Sequence, residues 1–308
     1  MAKSKKDLRS QQLEWFREVV KKDSKFYLAY ILAFGFFILK SEPCPTGFAG
    51  VDGTLVSSQT RVLLTALFAI IALYTLWVDI YHSTLPEPGD RKWKLLLHGS
   101  SGHFSYLTVN IITTWSIYWP LCALVEYLWR TSETELIRKA VTCCYSFAVF
   151  SSSLGTLLSL LFLQFNWFNE SWRKETLELY ESRGNKTFKI KILFTHLNQL
   201  PIAFFDIAVL KQNHHILENS TPRLQTLILV SFLYVLGYVS FTHFNFRVNG
   251  GVYPYSFMDA TLSSWKSELI FIAFVSLFCF LVTAFYHFIA VESDFVECSK
   301  LIPKGFLK

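Results

Sequence analysis

Four stretches of the chain carry no Asp, Glu, Lys or Arg: Phe104–Val125, Thr142–Phe165, Leu224–Phe246 and Leu269–Val291. Each is longer than the roughly 20 residues with which an α-helix crosses a hydrocarbon core. Lipid offers the backbone no hydrogen-bond partners, so helices are the elements that fit runs of this length. Two weaker stretches contain or border one acid each. Val62–Val78 is long enough if Asp79 and Ile80–Tyr81 lie at its end, and Ile192–Leu210 is long enough if Asp206 is held inside it. Phe26–Leu39 is a shorter apolar run between Lys25 and Lys40, and it spans only if those lysines snorkel to the interfaces. The pattern predicts an all-α fold: a polytopic transmembrane helical bundle of six crossings, or seven if Phe26–Leu39 also crosses.

This divides the chain into a basic N-terminal tail with a short hydrophobic segment (1–61), a transmembrane helical domain (62–291) and a C-terminal tail (292–308). Composition agrees: 52% of residues are hydrophobic and 17% charged, against about 25% charged in soluble domains. Trp77, Trp93, Trp129, Trp167 and Trp265 fall near predicted helix ends, as interfacial anchors do. Leu85–Asp90, with two prolines and a glycine, reads as a loop, and Glu170–Lys189 as a polar connector. No small-residue cleavage site follows Phe26–Leu39, so a removed signal peptide is not expected.

Charge bears on orientation. If Phe26–Leu39 crosses, the N-terminal side collects 19 of the 29 basic residues; if it does not, that side collects 18. Both tallies place the N-terminus in the cytosol, and neither chooses between six crossings and seven. A lysine-rich tail beside a membrane segment points to anionic lipid as its partner, and nucleic acid is not expected. The six cysteines form no CxxC pair, so neither a disulfide framework nor a metal site is expected, and no cofactor is implied. Multi-pass insertion fits the endoplasmic reticulum or the plasma membrane.

The chemistry lies in polar residues inside the apolar runs. Thr108, Asn110, Thr113 and Thr114 open one run; His196, Asn198, Gln199 and Asp206 lie in another; Asp79, His243 and His287 lie near helix ends. Most such hydroxyls bond a carbonyl one turn back, and most such amides join helices. Thr108 and His196 stand out as a pair. Their helices are separated by one crossing and so run in the same direction, and both residues lie about 6–12 Å from their helix starts. They therefore share a leaflet and a depth. A hydroxyl and an imidazole brought together form a nucleophile and base able to attack a carbonyl. Asp206, ten residues from His196, is about 15 Å along the same helix and cannot orient that ring; Asp79 or His243 could approach from elsewhere. Gly99-Ser-Ser-Gly102 lacks the spacing of a nucleophile elbow, and His214-His215 lacks a metal-spaced partner.

Several of these residues also resemble a known family. Phe104-Ser-Tyr-Leu-Thr108 is similar to the start of the second core helix of the androgen-induced and androgen-dependent TFPI-regulating membrane proteins, with rolling stone-type proteins as relatives. His196-Leu-Asn-Gln-Leu-Pro201 with Asp206 resembles the family's H-x4-P helix and its following acid. His214-His215, His243 and Gly250-Gly-Val-Tyr-Pro254 follow in the family's order, and the resemblance covers about Val62–Val291. It implies hydrolysis of lipid esters, notably fatty acid esters of hydroxy fatty acids, with Thr108 as nucleophile and His196 as its histidine partner. The chain departs from the pattern at Leu193, where vertebrate members carry a second histidine. An ungapped alignment from His214-His215 sets Gln199, not His196, opposite the catalytic histidine. The expectation is an intramembrane threonine hydrolase of long-chain lipid esters; the alternative is a non-enzymatic transporter, receptor or scaffold.

Overall fold

The computed structural model describes residues 5–44, 57–81, 106–132, 134–164, 168, 170–182, 192–211, 214–248 and 251–291. Among the described residues there is no strand, and six helices are long and apolar enough to cross a membrane. The protein is a multi-pass helical membrane protein.

In chain order the helices are α1 (Lys5–Lys40), α2 (Ser58–Tyr81), α3 (Leu107–Thr131), α4 (Glu135–Phe162), α5 (Glu170–Ser182), α6 (Leu193–Leu210), α7 (His214–Ser220), α8 (Leu224–Val248), α9 (Ser256–Thr261) and α10 (Trp265–Val291). The six apolar spans are α2, α3, α4, α6, α8 and α10. Their starts carry local signals. Ser57 Oγ accepts from the Thr60 amide, Thr134 Oγ1 from Ile137 and Ser264 Oγ from Ser267, capping α2, α4 and α10.

Helices α3 and α4 form the buried centre. α4 is rich in small buried residues, Ser151, Ser152, Ser153, Gly155, Thr156 and Ser159, which let its neighbours approach closely. Trp115 of α3 lies against Gly155, and its indole N–H donates to the Ser151 carbonyl at 3.1 Å. Helices α8 and α10 instead expose Leu229, Leu233, Phe274, Leu277 and Leu281 on the face left for lipid.

α6 is the irregular span. It opens with a π-helical turn over Leu193–Leu197, continues as α-helix over Gln199–Phe205 and closes with a second π turn over Asp206–Leu210. The wide turns close through Asn198 N–H to the Leu193 carbonyl (3.0 Å) and Lys211 N–H to the Asp206 carbonyl (2.8 Å). Pro201, lacking an N–H, cannot serve the carbonyl one turn earlier, which accounts for part of the break. Such turns often occur at functional positions, and His196 and Asp206 each sit in one.

The N-terminal segment is joined to the bundle, not set apart from it. α1 is continuous from the basic tail through Phe26–Leu39. Phe34 is buried edge-on against Phe147 of α4, ring centroids 4.9 Å apart, and Tyr30 donates to Asn110 of α3 at 3.1 Å. At one extreme Tyr27 lies within electrostatic reach of both Asp23 and Asp79, the latter near the end of α2. At the other, Arg138 Nε donates to the Cys44 carbonyl at 2.7 Å, near the start of α4. From Asp23 to its last residue, Lys40, α1 advances about 26 Å, and residues 41–44 carry the chain on to the Cys44 contact, together close to the thickness of a hydrocarbon core. α1 thus runs the full height of the bundle beside the six apolar spans, and the helices alternate from one end to the other. The end holding Asp23, Asp79 and Thr108 is called here the near end; the end holding Cys44, Arg138 and Lys211 is the far end. The loop at 85–90, Gly99–Gly102, Trp93, Trp167, the side chains of His214 and His215, and the tail at 292–308 lie outside the described residues.

Candidate active site

At the near end a cavity of about 90 Å³ opens between α3, α4, α6, α8 and α10 under the short helix α9. Thr108 and His196 both line it. Most other walls are apolar: Leu157 and Leu161 from α4, Val235 from α8, Phe271 and Val275 from α10. Polar groups enter only at a few points, and three of those are tyrosines: Tyr234, Tyr238 and Tyr255. An apolar chamber with a few convergent polar groups is the usual form of a small-molecule site.

Thr108 is the second residue of α3 and is buried. Its hydroxyl pairs with the phenol of Tyr255 at 3.4 Å, and its own amide donates to that phenol oxygen at the same distance. The Thr108 hydroxyl is therefore bonded to Tyr255 and not to His196. His196 faces the cavity from the first π turn of α6, its ring lying flat on Phe162 with centroids 4.0 Å apart and planes 7° from parallel. The two residues line the same cavity, and no hydrogen bond joins the Thr108 hydroxyl to His196.

Gln199, the other residue an alignment could set in the histidine's place, faces elsewhere. Its amide donates to the Thr195 and Phe194 carbonyls at 3.1 and 3.3 Å, and it borders a void of only about 10 Å³ beside Thr75 and Asn198. His196 is the one of the two that meets the Thr108 cavity.

A cap covers the cavity. It begins at Gly251, whose φ of +83° takes the left-handed conformation that glycine adopts without strain, with its N–H on the Phe246 carbonyl. Tyr255, Phe257 and Met258 of this cap face the cavity. The cap is fastened by a chain of side chains: Tyr253 OH to His243 Nδ1 at 3.0 Å, and His243 Nε2 to Glu268 Oε1 at 3.0 Å. His243 therefore tethers the cap and does not orient His196. Asp79 lies within electrostatic reach of Tyr255. Burial pushes the Tyr255 phenol above its ordinary value, so it stays protonated and able to donate at neutral pH.

The far end holds a second polar cluster that charge-free runs could not reveal. Lys211, Glu126, Asp206 and Arg61 are all buried. Lys211 Nζ lies 3.7 Å from Glu126 Oε1, 3.7 Å from Cys122 Sγ and 4.7 Å over the Tyr145 ring. Tyr118 donates to Asp206 Oδ2 at 2.7 Å. Asp206 is thus bound to Tyr118, far from His196. The missed signal was the length of α3, which continues past its charge-free run to Thr131 and carries Glu126 inside. No group of three or more metal-ligating side chains occurs among the described residues.

No protein-family model matches this chain, and neither a curated protein nor a solved structure matches it.

Proposed function

We propose that this membrane protein hydrolyses long-chain lipid esters inside the bilayer, with Thr108 as nucleophile and His196 as general base. The observation that carries the reading is that both side chains, 88 residues apart in sequence, face one apolar cavity. The resemblance of the Thr108 and His196 segments to the androgen-induced and androgen-dependent TFPI-regulating proteins supports the same assignment, with fatty acid esters of hydroxy fatty acids as the substrate class.

In this reading the acyl chain lies among Leu157, Val235 and Val275 while its carbonyl carbon meets Thr108. Thr108 Oγ1 forms a bond to that carbon as its proton passes to His196, and the carbonyl π pair moves onto oxygen. Collapse of the intermediate breaks the bond to the alkoxy oxygen, which takes the proton from His196. Water then attacks the acyl carbon as His196 takes its proton, and the bond to Thr108 Oγ1 breaks as His196 returns that proton to the threonine oxygen. Productive chemistry requires Thr108 to exchange its bond to Tyr255 for one to His196, a tightening common when substrate enters. The sequence tally, 19 of the 29 basic residues on the N-terminal side if Phe26–Leu39 crosses, supports a site in the cytosolic leaflet of the endoplasmic reticulum or the plasma membrane.

The test is hydrolysis of a fatty acid ester of a hydroxy fatty acid by protein purified into nanodiscs. Thr108→Ala should abolish turnover and labelling by a fluorophosphonate probe. Wild-type turnover in Thr108→Ala would sink the reading and leave the polar residues of the cavity as helix contacts.

A further inference from the structure

We propose that Tyr255 is a third catalytic residue, the donor that holds the carbonyl oxygen while negative charge develops on it. The inference deepens the hydrolase reading and rests on it.

The geometry is local and specific. When Thr108 Oγ1 attacks, the new oxyanion is attached to the same carbon as Oγ1, so it must fall among the atoms that already surround that oxygen. Two donors lie there. One is the Tyr255 hydroxyl, 3.4 Å from Thr108 Oγ1; the other is the Thr108 amide, itself 3.4 Å from the Tyr255 oxygen. Thr108 is in the first turn of α3, so its N–H has no acceptor one turn earlier in the helix. The Leu107 amide approaches the same phenol oxygen. With the site empty, Tyr255 receives these amides; with an ester bound, a small rotation lets the carbonyl oxygen receive the amide and the phenol together. Donors aimed at developing charge in a water-poor cavity are a large source of rate enhancement.

The cap makes this position firm. Tyr255 packs edge-on against Tyr106 at 5.5 Å and lies near-parallel to Phe257 at 5.5 Å, and Pro254 beside it is buried. Two residues earlier, Tyr253 is bound to His243, which is bound to Glu268 at the start of α10. A donor fixed from outside the substrate's own volume needs no reorganisation during reaction. No proton leaves Tyr255 in this step: it only donates a hydrogen bond.

A purely structural role, capping the start of α3, must be told apart from this one. The experiment compares wild type and Tyr255→Phe in nanodiscs for three readouts: kcat and KM on the ester, affinity for a trifluoromethyl ketone that forms a tetrahedral adduct, and affinity for an uncleavable ether analogue. The proposal expects kcat to fall about 100-fold or more, ketone affinity to fall by a similar factor, and KM and ether affinity to change little. Equal losses for ketone and ether, or full kcat in Tyr255→Phe, would overturn it. If Tyr255→Phe fails to fold, 3-fluorotyrosine at position 255 keeps shape and hydroxyl but donates more strongly. Ketone affinity should then hold or rise while ether affinity is unchanged, and a fall in ketone affinity alone overturns the proposal. Thr108→Ala, measured alongside, separates the readings. A dead Thr108→Ala with an active Tyr255→Phe rejects only the role of Tyr255. Full activity in both rejects the hydrolase itself.

Discussion

The two ends of the bundle solve the cost of polar groups in lipid in opposite ways. Around the near-end cavity the polar side chains are hydroxyls and an imidazole, which contact one another sparsely, while the acids of that end, Asp23, Asp79 and Glu268, stand outside its lining. At the far end the groups are a lysine, two acids and an arginine, all buried, with Lys211 against the Cys122 thiol and over the Tyr145 ring and Asp206 bonded to Tyr118. Neutral groups around a cavity can change partners when a ligand enters. Charges without room must hold their partners permanently, because an uncompensated ion there costs several kcal/mol. The near end is built for exchange and the far end for holding α2, α3, α4 and α6 in place.

The sharpest break of that comparison is functional. Removing the Thr108 hydroxyl or the His196 ring should lower ester turnover by about 10³-fold or more while leaving the folded protein's melting temperature close to wild type. Residues acting as one unit lose nearly everything at the first deletion, so the double variant should be no worse than either single one. Thr108→Ser should keep part of the activity, since the hydroxyl stays and only the rotamer restraint of the methyl is lost. Additive losses, or losses explained by unfolding, would place Thr108 and His196 with the far-end residues as structural groups.

The far end should respond the other way. Lys211→Ala leaves Glu126 buried without its cation and should destabilise the protein by about 3–5 kcal/mol. Replacing both, Lys211→Met with Glu126→Leu, should recover most of that loss, and turnover per folded molecule should stay near wild type in both. Thermal unfolding in detergent beside specific activity reads both quantities. A double variant that is stable yet inactive would mean that the far-end charges serve the reaction.

Between the ends, the α3–α4 contact should prove sensitive to a single methyl group. A Cβ on residue 155 would run into the six-membered ring of Trp115, whose indole is anchored to Ser151. Gly155→Ala should cost about 1–3 kcal/mol, as overpacking in a dense core does. Trp115→Phe in the same chain removes part of the obstructing ring and should relieve some of that loss. A melting temperature unchanged in Gly155→Ala would show that α3 and α4 can part without penalty.

How much of this was legible differs by region. The crossings could be read because lipid forces unbroken apolar helices, and Leu224–Phe246 and Leu269–Val291 correspond closely to α8 and α10. The shared depth of Thr108 and His196 followed from helix parity alone. Parity could not say what stood beside them: Tyr255 lies 147 residues along the chain from Thr108, on a short cap that apolar periodicity does not register. Arg61, Glu126 and Lys211 lie directly beside the apolar runs Val62–Val78, Phe104–Val125 and Ile192–Leu210, where a charge normally marks the end of a span. Here α2 begins before Arg61 and α3 runs on past Glu126, while Lys211, directly after α6, is held inside by Glu126, the Cys122 thiol and the Tyr145 ring. Phe26–Leu39 was too short by composition to decide; its packing against Phe147 and Asn110 is a tertiary property.

The smallest expected effect is also the one that fixes which end faces the cytosol. If α1 crosses, chain order assigns the sequons at Asn169 and Asn185 to the same side as the N-terminal tail, and Asn219, in α7, to the opposite side. A cytosolic near end therefore leaves Asn169 and Asn185 unmodified. Asn219 sits close to the bundle, since the neighbouring Ser220 carbonyl accepts from Ser146 of α4 at 2.7 Å, so it is a poor acceptor despite facing the lumen. The natural chain should show no endoglycosidase shift. A sequon placed in an extension beyond Lys308 should be glycosylated, and one placed before Met1 should not. Glycosylation at Asn185 would turn the near end, and the Thr108 cavity with it, to the luminal leaflet. Glycosylation at both Asn185 and Asn219 could not be met by any bundle in which α6 crosses once, and would break the alternation on which the two-ended comparison stands.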